Sequence, residues 1–111
     1  MPTDYEALVA ALKLTDVPFA EYGWSTRPEG TYGVVAIDFE SGSDDGDNLK
    51  QDRSWEGSID LFSKSKRGEG HPAEIEEILT EICEDAWELN STAWEPETKL
   101  FHWEWVFRVE E

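Results

Sequence analysis

The side chains best placed to do chemistry in this chain are carboxylates. The run Glu40-Ser-Gly-Ser-Asp-Asp-Gly-Asp-Asn48, continuing to Asp52, packs them around two glycines. That composition invites a calcium reading, because a twelve-residue calcium loop places oxygen ligands at alternate positions around a tight glycine turn. Counted from Ser41, Asp45-Gly46 fills the fifth and sixth positions of such a loop. Ser41 and Ser43 then stand first and third, and Asp52 stands twelfth where a bidentate Glu is wanted. The ligand set supports weak cation association by Asp44, Asp45 and Asp47 at most. Other chemistry has less support. His71 and His102 have no cysteine partner nearby and no helical His-x-x-x-His spacing, so no metal site is expected. Cys83 is the only cysteine, which excludes an internal disulfide and a cysteine-built zinc site. It lies beside an apolar helix face, where an inert buried thiol is usual. No Gly-x-Ser-x-Gly or phosphate-cradling loop occurs. Paired acids and six tryptophans are the ingredients of a glycosidase. Most of those indoles, however, fall on strand positions that call for burial. The expectation is a protein without catalysis and without a cofactor, whose exposed aromatics, Trp24 and Trp94, serve a protein interface.

The elements that position these residues follow from periodicity. Thr3-Asp-Tyr-Glu6 has the form of a capping box, and Tyr5, Leu8, Val9 and Leu12 repeat as one apolar helical face ending before Pro18. Phe19 to Trp24 reads as a short extended piece, and Ser25 to Gly30 as a loop. Tyr32 to Phe39 is a central strand, with Val35, Ile37 and Phe39 facing one way. Trp55, Gly57, Ile59 and Leu61 alternate with polar residues as a half-buried antiparallel strand closed by Phe62. The turn that follows carries the basic cluster of Lys64, Lys66 and Arg67. Pro72 suits the first position of a second helix, predicted to run to Leu89, with Ile75, Ile78, Leu79, Ile82, Ala86 and Leu89 on one side. Ala93 to Glu95 is a short strand before Pro96. In the closing strand Phe101, Trp103, Trp105, Phe107 and Val109 alternate with a mixed face of Leu100, His102, Glu104, Val106 and Arg108. The expected fold is α+β, in the order α-β-β-β-α-β, with about four antiparallel strands packed against two helices.

Charge and size bound the rest. With 26 Asp and Glu against 9 Lys and Arg, the formal net charge is -17, so the chain should repel nucleic acid and needs a dense core to stay compact. At 39% hydrophobic and 13% aromatic it has the means for one. Its 111 residues are expected to form a single domain, residues 1–111. The first residues lack the basic-then-apolar order of a signal peptide and no run approaches a membrane span, so a soluble protein made in a cytoplasm is expected.

The order of motifs resembles a family. Asp4-Tyr-Glu-Ala-Leu8 opening a helix, Val17-Pro-Phe-Ala-Glu-Tyr22 with Trp24, and Tyr32-Gly-Val-Val35 are similar to the opening of tail-terminator, or tail-completion, proteins of long-tailed, siphovirus-like bacteriophages. Gly46-Asp-Asn48 resembles the family's short Asp-Asn loop, and Trp55-Glu-Gly-Ser-Ile-Asp-Leu-Phe62 the strand after it. The Glu-rich helix from Pro72 and the ending Phe107-Arg-Val109 complete a likeness that covers essentially the whole chain. Its acidity exceeds that expected of a typical member.

The resemblance implies a non-catalytic structural protein of a phage or prophage. It would form a homo-oligomeric, hexameric ring that caps the tail tube and performs head-tail joining. Its partners would be the major tail tube protein and a neck or head-completion protein. DNA would pass through the lumen without high-affinity contact, and no membrane is involved. The protein would act in the host cytoplasm during virion assembly and reside at the tail-neck junction. On this reading Asp44, Asp45, Asp47 and Asn48 form an interaction loop, and Trp24, Trp94, Lys64, Lys66 and Arg67 are interface candidates. The alternative is an acidic mimic of DNA that inhibits a DNA-binding enzyme, with the Glu-rich second helix supplying part of a phosphate-like track.

Overall fold

The computed structural model describes residues 3–41 and 54–110. The first helix, α1, spans Thr3–Lys13 and buries Tyr5, Leu8, Val9 and Leu12, the four positions its periodicity selects. Its capping by the Thr3 side chain lies outside the described residues. At its end Thr15 folds back, its hydroxyl donating to the Leu12 carbonyl at 2.7 Å, and the chain turns into strand β1 (Phe19–Glu21).

Four long strands follow the short first one, interrupted by the second helix. These are β2 (Tyr32–Ser41), β3 (Ser54–Ser63), then after α2 (His71–Cys83) strand β4 (Trp87–Glu95), and last β5 (Leu100–Glu110). The sheet therefore has five strands in the order β1-β2-β3-β5-β4. It is mixed, because β1 runs parallel to β2 while every other pair is antiparallel. This corrects the expected sheet of about four antiparallel strands and the order α-β-β-β-α-β.

Two local causes account for the difference. Phe19 pairs with Gly33, and a Cβ on Gly33 would overlap the Phe19 ring, so the missing side chain lets a three-residue strand lie close against β2. A parallel neighbour needs a crossover connection, and here residues 22–31 supply it without a helix. The second cause lies at the end of α2, which stops at Cys83 and does not reach Leu89. Glu84 takes a positive φ of 58°, the Ala86 amide donates to the Cys83 carbonyl at 2.9 Å, and the Arg108 amide donates to the Ala86 carbonyl at 2.9 Å. The chain thereby enters the sheet at Trp87. Ala86 and Leu89 continue the helical repeat of α2, but Trp87 and Leu89 also alternate, and cross-strand pairing with β5 decides in favour of the strand.

Both helices lie on one face of the sheet. Their apolar sides meet Val35, Ile37, Ile59, Leu61, Trp103, Trp105, Phe107 and Val109 in one continuous core. Trp105 is fully buried, and its indole Nε1 donates to Glu76 Oε2 on α2 at 2.8 Å. Gly57 has a packing reason too, since a Cβ there would meet the Ala36 carbonyl and the Phe107 ring. Two bulges shift the register, one in β2 between Ile37 and Phe39 and one in β4 between Leu89 and Ser91. The Phe39 side chain, expected to face the core, lies outside the described residues. Among the described residues no helix is long and apolar enough to cross a membrane.

Candidate assembly surface

The face of the sheet turned away from the helices carries the titratable groups. Along it Tyr32, Phe62 and His102 are register neighbours on β2, β3 and β5, and they stack as a row: Tyr32 on Phe62 at 4.8 Å and Phe62 on His102 at 4.2 Å between ring centroids. His102 is held on both sides. Its Nε2 lies 2.6 Å from Asp60 Oδ1 on β3, and its Nδ1 lies 2.8 Å from Glu95 Oε2 on β4. A neutral imidazole has a single N–H, whereas the cation donates from both nitrogens, so this geometry calls for the charged ring. Its pKa is raised accordingly, chiefly by the hydrogen bond with Asp60 and further by Glu95, against the opposing effect of burial. Glu95 is itself steadied by the Thr98 hydroxyl, which donates to its other oxygen at 3.1 Å. The clamp joins three strands through one ring.

Next to it the carboxylates crowd one another. Asp38 is pushed above its ordinary range by burial first and then by Asp60 and Glu104, with a Ser58 hydrogen bond working the other way. Glu104 accepts from Asn90 Nδ2 at 2.8 Å.

Strand β4 forms one edge of the sheet, and seven consecutive residues, Glu88 to Trp94, are exposed. An edge strand offers a row of unpaired backbone groups, and a long exposed one is a template for another chain. Leu89 and Trp94 stand out on it, exposed by 42% and 48%. Trp94 leans on Phe101 with centroids 4.9 Å apart, so its ring is braced as an anchor would be. Between β4 and α2 runs a shallow groove of about 480 Å³ lined by Glu76, Glu77, Glu81 and Trp87.

The residues singled out in the sequence fall in separate places. Trp24 is only half exposed, and its Nε1 donates to the Gly33 carbonyl at 2.9 Å, which ties its loop to β2. Lys64, Lys66 and Arg67 are exposed in the turn after β3, at the end of the sheet where β5 begins. Trp94 is on the β4 edge. Asp44, Asp45, Asp47 and Asn48 lie outside the described residues. Cys83 is buried on α2, and burial together with nearby Asp4 pushes its thiol up to about 11, leaving little thiolate at neutral pH. His71 pairs with Glu74 one turn on, at 3.1 Å. Among the described residues no group of three or more His, Cys, Asp or Glu is arranged to hold a metal ion. The His102 clamp escaped sequence reasoning because Asp60 is 42 positions away and no spacing links the two. No known protein family matches the chain, and no curated protein matches it.

Proposed function

We propose that this chain is a tail-terminator protein of a long-tailed bacteriophage, a non-catalytic subunit of a hexameric ring that caps the tail tube and joins it to the neck. The observation that carries this reading is the β4 edge, with seven consecutive exposed residues and, among them, two exposed apolar side chains, one of them braced. Such an edge suits the heterologous contact from which a closed ring is built, since each subunit presents one surface to a different surface of the next. The order of motifs along the whole chain supports the same reading. The net charge of -17 gains a purpose in it, because a carboxylate-rich lumen would repel DNA phosphates and let the genome pass. The protein would then reside at the tail-neck junction of the virion, in contact with the tail tube and a neck protein.

The test is native mass spectrometry and negative-stain imaging of the purified protein, alone and with tail tubes. Closed rings, or occupancy of tube ends, are expected. A protein that stays monomeric and leaves the tubes bare would remove the proposal.

One observation favours a second reading, the DNA mimic. The body measures 49 × 26 × 26 Å, and a duplex of that length carries about 29 phosphates at one per ~1.7 Å, against 26 acidic residues in this chain. Their placement counts against it. Exposed acids lie on α1 (Asp4, Glu6), on α2 (Glu77, Glu81), on the open sheet face (Asp38) and on the edge strand (Glu88), so they follow no single track. Inhibition of a DNA-binding enzyme by the monomer would reverse this weighting.

A further inference from the structure

The basic turn after β3 is not alone at its end of the sheet. The register pairs Tyr32 with Phe62, Phe62 with His102, and Leu100 with Glu95, which brings three loops together: the one before β2, the one after β3, and the β4–β5 turn. Arg27 comes from the first, Lys64, Lys66 and Arg67 from the second, and Lys99 from the third, and all five are exposed. The first two loops are tied to each other, and the third is braced within itself. Thr31 Oγ1 donates to Ser63 Oγ at 3.1 Å, the Ser65 amide donates to the same oxygen at 3.1 Å, and the Lys99 amide donates to the Glu95 carbonyl at 2.8 Å. Arg27 is close enough to the Tyr32 hydroxyl to oppose the rise in its pKa that burial causes. A recess of about 370 Å³ opens between Arg27, Gly30, Lys64 and Thr98, with Glu29 also on its wall. Asp16, Glu69 and Glu97 sit at this end as well, yet the five cations outnumber the four exposed acids, Glu29 included. The described residues carry only two further Lys or Arg, Lys13 at the end of α1 and Arg108.

The opposite end has the reverse character. There α1 begins, α2 stops, β4 begins and β5 ends, and Asp4, Glu84, Asp85, Glu88 and Glu110 are all exposed. A second recess of about 350 Å³ lies among Asp4, Glu84, Asp85 and Glu110, with Arg108 on its wall. The molecule is therefore polarised along its strands.

We infer that copies of this chain associate head to tail, the Arg27, Lys64, Lys66, Arg67 and Lys99 end of one docking on the Asp4, Glu84, Asp85 and Glu110 end of the next. The inference rests on the reading of the chain as a ring subunit and names the surfaces that would join. Charge complementarity selects the occupant. Nucleic acid would be repelled by the rest of a chain of net charge -17, whereas a second copy offers compact negative charge at one end only when correctly oriented. Two different surfaces meeting make a heterologous contact, which closes into a ring or runs on as a filament.

The same polarity sets an unusual salt response. At about 0.01 M salt the screening length is ~30 Å, and repulsion between two highly acidic bodies extends over much of their length. Near 0.15 M it falls to ~8 Å, which suppresses that repulsion while pairs in contact survive. At 1 M, with ~3 Å, the contact pairs weaken too. Association should therefore peak at intermediate salt.

Sedimentation velocity on the full chain across this salt range tests the inference, with two charge-reversed variants, K64E/K66E/R67E at one end and E84K/D85K at the other. Circular dichroism and the unfolding midpoint establish that each variant is folded, and K64Q/R67Q replaces the first if it is not. Each variant alone should lose association by on the order of tenfold or more, and their mixture should recover it, because every reversed end then meets a complementary one. Variants that assemble like the parent, a mixture that stays apart, or a parent monomeric at every salt concentration would each overturn the inference. Closed rings from parent and variants alike would sink it while leaving the ring reading intact. Salt-peaked, charge-swappable filaments that never close would do the opposite.

Discussion

Strand β5 has two faces that obey different rules. Trp103, Trp105, Phe107 and Val109 are buried against the helices, whereas His102, Glu104 and Val106 are half exposed on the open side. On the first face stability scales with apolar area removed from water, and a loss cannot be repaired by solvent. On the second it depends on proton occupancy and on pairing at the surface, where water and salt compete. One strand thus divides the fold into a part that holds the molecule together and a part that conditions respond to.

The sharpest way to break this contrast is W105A. Removing a fully buried indole should lower unfolding stability by about 3 to 5 kcal/mol, and Glu76 would lose its donor. A loss below about 1 kcal/mol in a denaturant titration would mean that the aromatic face is not the core. G57A comes next. Its methyl would press into the Ala36 carbonyl and the Phe107 ring, and overpacking of this kind costs about 1 to 3 kcal/mol.

The open face should answer to pH. The His102 pKa is raised in the folded state, so its stabilisation is fully present below the unfolded value of about 6.5 and is lost as pH rises through the folded one. H102Q should therefore cost about 1 to 2 kcal/mol near pH 6 and progressively less toward pH 9. A pH-independent difference in melting temperature between parent and variant would show that the ring acts by packing on Phe62 alone. Asp38 works in the same sense, because a raised carboxyl disfavours the folded state once ionised and ceases to do so below its ordinary value of 3.8. D38N should be neutral or slightly stabilising at pH 7, measured by thermal melting. The smallest effect on folding is expected from W94A, within about 0.5 kcal/mol, as for an exposed residue. If ring or tube binding drops while the melting temperature holds, Trp94 belongs to the assembly surface.

Local periodicity exposed much of this architecture. The core-facing positions of α1, β3 and β5 follow from spacing, although Trp55 and Phe101 prove only partly buried and Leu100, on the other face of β5, is buried. β1 was invisible as a parallel strand, since three residues carry no period and its place depends on the missing side chain of Gly33. The α2–β4 boundary was misjudged because Leu89 satisfies a helical and a strand period at once. Of the candidate surface, Trp94 and the Lys64 to Arg67 turn could be picked out as exposed. Their grouping with Arg27 and Lys99, and the clamp on His102, exist only once distant strands are in register.

The bulge in β4 has a consequence for any engineering of the edge. Leu89 and Trp94 are five positions apart, an odd separation that in a regular strand would send them to opposite sides. The pairings Leu89 with Trp105 and Trp94 with Phe101 nevertheless put both on the helix side, because Asn90 is inserted between them without a partner. Asn90 thus acts as a phase shifter. Deleting it would bring Leu89 and Ser91 into regular alternation opposite Trp105 and Glu104, keeping Trp94 on the helix side and Glu95 against the imidazole, so the edge would lose its bulge and the Asn90–Glu104 hydrogen bond while both faces of the strand survive.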